Sequence, residues 1–140
     1  MVSNLKDHTI VCGSGMMASV VLDRLMRKRI PVVLVDDQEE RLAALRQKYR
    51  SLLTIEGNAT NELTLAEAGL VAARHVVAAM DSDVDNLLVV ITCKDIGRDI
   101  TVLARANDVS IANRMRKAGA DEIISPCLLS GNRVAEVILT

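Results

Sequence analysis

The sequence predicts an α/β protein, a Rossmann-like doubly wound parallel sheet of six strands with helices on both faces. Three observations point there. Short aliphatic and β-branched runs alternate with helical segments along the whole chain, the pattern of successive parallel crossover units. The first run leads straight into a Gly-x-Gly-x-x-Ala turn, Gly13-Ser14-Gly15-Met16-Met17-Ala18. The second run ends on an acid, Asp36, twenty-one residues past Gly15.

Thr9 to Cys12 form the first strand and Met16 to Arg29 the first helix. In such a turn Gly13 allows the sharp reversal and Gly15 lets a pyrophosphate approach the backbone. Ala18 is small enough for helix and strand to pack closely. The amides and dipole at the start of that helix suit an anion, most naturally a phosphate. An ordinary strand-to-helix connection looks the same in isolation, so the second strand matters. Pro31 to Val35 make that strand, and the Asp36 carboxylate at its end is placed to accept both ribose hydroxyls of an adenosine. Its charge repels a 2′-phosphate, and no Arg or Lys lies immediately beside it, which disfavours NADP. Asp37 is a further candidate binding residue and also a candidate cap for the next helix, with Glu40 as its capping-box partner.

The remaining elements follow in turn. Glu39 to Arg50 read as an amphipathic helix with Leu42, Leu45 and Tyr49 facing the sheet. Leu52 to Ile55 form a third strand, and Gly57-Asn58-Ala59-Thr60 the loop after it. Thr60 is the expected cap of a short helix that runs to Ala68 and stops at Gly69. Val76 to Met80 are apolar on both faces and form a central fourth strand. The acidic stretch Asp81 to Asn86 leads to a helix over Leu87 to Ile96, closed by Gly97. Ile100 to Ala104 are the fifth strand, and Asp108 caps a helix carrying Ile111, Met115 and Ala118, with Gly119 at its end. Glu122 to Ser125 give the sixth strand, Pro126 breaks it, and a last helix runs from Asn132 to Leu139. Ligands of such folds sit beyond the carboxyl ends of the strands, where the loops at Gly13–Gly15, Asp36, Gly57–Thr60, Met80–Asp85 and Arg105–Asp108 all lie.

Composition narrows the function. Half of the 140 residues are hydrophobic, yet there is one Tyr and no Phe or Trp. The aromatic platform that stacks single-stranded nucleic acid is missing, and a net charge of −1 argues against nucleic acid as a partner. The three cysteines, Cys12, Cys93 and Cys127, read as buried thiols in a reducing compartment. The sequence shows neither a membrane-length apolar stretch nor a signal-peptide pattern, so a soluble cytosolic protein is expected. The final helix runs to Thr140 without a stop signal, which predicts that residues 1–140 are the first lobe of a longer chain.

Other chemistry finds little footing. Asp81, Asp83 and Asp85 alternate as in a calcium loop, but Asn86 and Thr92 stand where Gly and Glu are needed, so these acids read as charges favouring the start of the following helix. His8 and His75 lack companions at ligand spacing and read as structural, and no metal site is expected. No Ser/His/Asp set or positioned acid and base is evident, so the sequence reads as a binding module rather than an enzyme. The alternatives are the coenzyme lobe of an NAD-dependent dehydrogenase with its substrate domain downstream, and an assembly scaffold without nucleotide.

With these residues in view, the chain resembles the nucleotide-binding lobe of the regulator-of-K⁺-conductance (RCK) family, the Trk-type NAD-binding domain. The resemblance rests on His8 to Ala18, Val33 to Asp36, Gly57-Asn58-Ala59-Thr60 followed by Leu65-Ala66-Glu67-Ala68-Gly69, the acidic stretch ending in Asn86, and Ala118-Gly119-Ala120-Asp121 leading to Pro126. It implies a regulatory domain at the cytoplasmic face of a membrane-embedded potassium channel or transporter. Such a domain forms homodimers or rings and changes shape on binding NAD or NADH, or alternatively ATP, ADP or AMP. By motif position Gly13, Ser14, Gly15 and Met16 face the phosphates, with Met17 lining the pocket beside them. Asp36 takes the ribose, Asn58 and Ala59 the adenine, and Met80 and Asp81 the edge at the fourth strand, while Arg105 reaches toward the phosphates. Two positions depart from the family pattern: Asn58 stands where aspartate is usual, and Met16 where a polar or basic residue is common.

Overall fold

The computed structural model describes residues 2–96 and 99–140. Among these, six parallel strands form one sheet in the order β3-β2-β1-β4-β5-β6. They are β1 (Thr9–Cys12), β2 (Val32–Asp36), β3 (Leu53–Glu56), β4 (His75–Ala78), β5 (Thr101–Arg105) and β6 (Glu122–Ile124). The helices are α1 (Met16–Arg27), α2 (Glu39–Lys48), α3 (Glu62–Glu67), α4 (Asp83–Asp95), α5 (Val109–Ala118) and α6 (Pro126–Leu139). The doubly wound α/β fold expected from the alternation is therefore present. Strand order reverses between β1 and β4, which run in register from Thr9 opposite His75 to Cys12 opposite Ala78. That reversal opens the crevice in which ligands of this architecture bind.

Each strand alternates its side chains between two cores. Ile10 and Cys12 join Val33, Val35, Val76 and Ala78 on one face, packed against Leu65 of α3, Val89, Val90 and Cys93 of α4, and Met115 of α5. Val11 and Leu34 join Ala18 and Leu22 of α1 and Leu42 of α2 on the other. Leu22 and Leu42 are fully buried, and truncating either to Ala costs about 2–5 kcal/mol. Because β1 is buried on both faces, its period-two pattern is invisible and it reads as a continuous apolar run.

The structure moves several element ends. α1 stops at Arg27, two residues before the expected end, and α2 stops at Lys48, leaving Tyr49 in extended backbone with its hydroxyl donating to Asp23 Oδ1 at 2.6 Å. Asp37 does not cap α2: the residue before that helix is Gln38, whose amide donates to Asp36 Oδ1 at 2.9 Å. The cap of α3 is Asn61 rather than Thr60, because the amide and hydroxyl of Thr60 both donate to Asn58 Oδ1, at 2.9 and 2.8 Å. α4 starts at Asp83, four residues before the expected Leu87, since Ser82 caps it by accepting from the Asp85 amide. The expected stop at Gly97 lies outside the described residues. Asp108 caps α5 through the amides of Ser110 and Ile111, and Gly119 ends it in left-handed backbone, both as the sequence implies.

The largest difference is α6, which begins at Pro126 rather than Asn132. Proline breaks a helix interior but suits its first position, where no amide is needed, and Ser125 caps by accepting from the Leu128 amide. Every residue of α6 from Cys127 to Leu139 is exposed, so Cys127 is not the buried thiol the sequence predicts. Cys12 and Cys93 are buried, and burial raises both thiols, Cys93 up to about 12. His8 is fully buried at the opposite edge of the sheet with its Nε2 2.9 Å from the Ala68 carbonyl, a structural role. Among the described residues no helix is long and apolar enough to cross a membrane.

Candidate functional site

A cleft of about 250 Å³ opens at the carboxyl edge of the sheet, at the strand reversal. Gly13 forms its floor. Its φ of +108° is one that side chains rarely adopt, and a Cβ there would stand 2.7 Å from the Ala79 carbonyl oxygen. Only glycine lets the turn after β1 pass this close to the end of β4. Gly15 is the N-cap of α1 and brings no side chain to it, so the first-turn amides are left for a ligand at the positive end of the helix dipole. A Cβ at Gly15 would meet Asp81 Oδ1 at 3.5 Å, which places this turn against the β4 loop.

Asp36 closes the β2 side. Its side chain is largely buried, Oδ1 accepts from the Gln38 amide, and Oδ2 accepts from the Ser14 hydroxyl. Each carboxylate oxygen keeps a further acceptor position, so the group is oriented without being saturated. Arg41 Nη1 lies 3.5 Å from Ser14 Oγ and brings a guanidinium to the same rim. The β4 side is fixed by Asn86, a fully buried amide. Its Oδ1 accepts from the Met80 amide at 2.9 Å, and its Nδ2 donates to the carbonyls of Met80 at 3.0 Å and Arg105 at 3.1 Å. Behind this loop the Arg105 guanidinium donates to the Met80 carbonyl at 3.3 Å and pairs with Asp81 at 3.5 Å. Its buried Nε has no partner among the described residues.

Of the residues expected from the sequence, Gly13, Asp36, Asp37, Asn58, Ala59, Met80 and Asp81 line this cleft. Ser14 reaches it through Asp36, and Gly15 stands at its rim. Arg105 sits behind Asp81 rather than on the cleft wall. Met16 is 84 % exposed at the tip of α1, whereas Met17 is half-buried and packs in the core beneath that helix with Val11 and Leu22, away from the cleft. Gln38 and Arg41 line the cleft without having been expected from the sequence, and Ser82 and Asp85 line it within the Met80–Asp85 loop that the sequence puts at this edge. The helical spacing puts Arg41 opposite Leu42, Leu45 and Tyr49, on the outer face of α2; it lies in the first turn of that helix, and the turn after β2 brings it over Ser14. The absence of a cation immediately beside Asp36 in sequence therefore does not extend to space. Asp85 lies in the first turn of α4, where the sequence places it as a helix-start charge, and it also faces the cleft.

Among the described residues no cluster of three His, Cys, Asp or Glu side chains is arranged to hold a metal ion. The wall carries Asp36, Asp37, Asp81 and Asp85 against the single guanidinium of Arg41. A ligand fits this pattern when its anionic part meets the amides of the α1 turn and its hydroxyls meet the carboxylates. A phosphorylated ribose has that polarity.

The comparisons agree with the architecture. The "Probable potassium channel protein 2" of Methanocaldococcus jannaschii is 33% identical over 137 residues, covering 97% of this chain and 40% of that protein. This chain thus spans well under half the length of that relative, and the same holds for a second channel protein of the organism, of which it covers 41%. Among solved structures, the TrkA-N domain of inner membrane protein YbaL from Escherichia coli superposes with a TM-score of 0.89 at 22% identity, over 96% of this chain and 98% of that one. The GsuK channel bound to NAD superposes with a TM-score of 0.77 at 20% identity, over 89% of this chain and 22% of that one. The family model described as the TrkA-N domain matches residues 9–126, from the first residue of β1 to the first residue of α6. The chain belongs to the TrkA-N domain family.

Proposed function

We propose that this chain is the nucleotide-sensing lobe of a potassium channel or transporter, placed at the cytoplasmic face of the membrane by the rest of a longer protein. The observation that carries the reading is Asp36, a carboxylate held at the tip of β2 beside the Gly13–Gly15 turn, with acceptor positions left over and an open cleft in front of it. The relative named as a potassium channel and the neighbour bound to NAD support it.

In this reading a diphosphate or monophosphate lies on the amides that open α1, over Gly13, Ser14, Gly15 and Met16. The ribose hydroxyls donate to Asp36, and the adenine extends toward Asn58 and Ala59, with Asp37 and Arg41 at the outer rim. Met80 and Asp81 bound the other side, and Arg105 holds Asp81 in place. NAD or NADH, or else ATP, ADP or AMP, share the adenosine and phosphate that these groups address. In this reading the domain is a binding module, and the Ser14 hydroxyl serves to orient the Asp36 carboxylate for the ribose.

The exposed apolar residues of α6, Leu128, Leu129, Val134, Val137 and Ile138, are 60–76 % accessible, and a second copy of the chain would cover them in a homodimer or ring. Nucleotide then acts as a switch by binding one assembled arrangement more tightly than another. A thermal-shift titration with NAD, NADH, ATP, ADP and AMP tests the proposal. A true ligand at a hundred times its dissociation constant adds about 2.7 kcal/mol and raises the melting temperature by several degrees. No shift with any of the five would overturn it in favour of a scaffold.

A further inference from the structure

A chain of hydrogen bonds joins the cleft to the start of α6. Asp83 follows Ser82, a cleft residue, and opens α4. Its Oδ2 accepts from the amides of Asn107 at 3.0 Å and Asp108 at 2.8 Å, the two residues that lead from β5 into α5. Asn107 also faces the other way, and its Oδ1 accepts from the Ser125 hydroxyl and the Cys127 amide, each at 3.2 Å. A single loop residue is thus bonded on one side, through its backbone, to the loop that walls the cleft. On the other side, through its side chain, it is bonded to the first turn of α6.

What lies around this chain makes it consequential. Within the single chain α6 is exposed along its length, so its bonds at the base, rather than packing against the domain, set its direction. Asn86 ties the ends of β4 and β5 to the first turns of α4, so Asp83 stands on a rigid platform that moves with the cleft wall. Two routes therefore lead from the β4–α4 loop toward α6: the backbone pairing of β5 with β6, where the Ala106 amide donates to the Ile124 carbonyl at 3.0 Å, and the Asn107 side chain, which bonds directly to the first turn of α6.

We infer that Asn107 is a positioning residue that ties the setting of α6 to the loop walling the cleft. The inference deepens the nucleotide-sensing reading and rests on it for the identity of the signal, while the tie itself is testable without ligand. The experiment is hydrogen exchange on the whole chain, read at the amides of the first turn of α6. Without nucleotide, Asp83→Ala and Asn107→Ala each speed that exchange by about fivefold or more, the lower end of measured coupling between sites. Asn107→Asp, which keeps the acceptor, stays near wild type. With AMP as the probe, the wild-type chain changes its α6 exchange on saturation. Asn107→Ala binds AMP with a dissociation constant within about threefold of wild type but loses that response.

The tie is overturned if Asp83→Ala leaves α6 exchange at the wild-type rate. It is equally overturned if Asn107→Ala binds AMP and still passes the response to α6. Should none of NAD, NADH, ATP, ADP and AMP bind the wild-type chain, the nucleotide reading fails, and the ligand-free variants still decide the tie.

Discussion

The hydroxyl of Ser14, in the turn that follows β1, donates to Oδ2 of Asp36 at the tip of β2. Twenty-two residues separate the two, and the bond fixes the carboxylate toward the cleft before any ligand arrives. Pre-orienting a binding group lowers the ordering cost of association. Ser14→Ala should therefore weaken AMP by about threefold to tenfold, the worth of one hydrogen bond, without unfolding the domain. Calorimetric titration of the variant checks this, and an unchanged affinity would remove Ser14 from the binding machinery.

Asn86 should matter more to stability than to binding chemistry. It is wholly buried and bonds Met80 twice and Arg105 once, so Asn86→Ala removes three bonds to main-chain groups at the carboxyl edge and leaves the Met80 amide without its partner. Urea unfolding should show a loss of about 2–4 kcal/mol. A loss below about 0.5 kcal/mol, the size of an ordinary surface substitution, would mean that the β4 and β5 ends are held by something else.

These two residues also show what the sequence made legible. The glycine turn, the acid at the end of β2 and the alternation of strands and helices are local signals, and the fold and the floor of the cleft follow from them. Arg41 was hidden because its position on α2 reads as an outer face, and only the direction in which α2 leaves β2 brings it over Ser14. The start of α6 was hidden because Pro126 looks like a break and is also a good first residue of a helix. The bond from Asp83 to Asn107 spans twenty-four residues and depends on two adjacent loops meeting, which no local pattern encodes.

Acid should uncouple the cap of α5. The hydroxyl and amide of Ser110 and the amide of Ile111 hold the Asp108 carboxyl below its usual value of 3.8. Its folded value is thus lower than its unfolded one, so its ionised form stabilises the fold above about pH 4, and that contribution is lost as pH falls further through the folded value. Asn caps without charge, so the advantage of wild type over Asp108→Asn in urea midpoint should be present at pH 6 and shrink below pH 4. A gap that stays constant to pH 2.5 would show that the charge is not responsible.

The three thiols should divide sharply. Cys127 is exposed, whereas Cys12 and Cys93 are buried and burial disfavours their thiolates, the reactive form. A disulfide reagent at pH 8 should titrate one thiol per folded chain quickly and the remaining two only in denaturant. Rapid reaction of all three would contradict the packing of α4 against β1.

The most direct test of the proposed nucleotide site is calorimetric binding of AMP to the wild-type chain and to Asp36→Ala. In the proposed binding mode the ribose hydroxyls lose a charged acceptor in the variant, so its affinity should fall by about tenfold to a hundredfold, with one AMP bound per wild-type chain. Equal affinity in the two proteins would mean that the acid at the tip of β2 is not where the sugar binds.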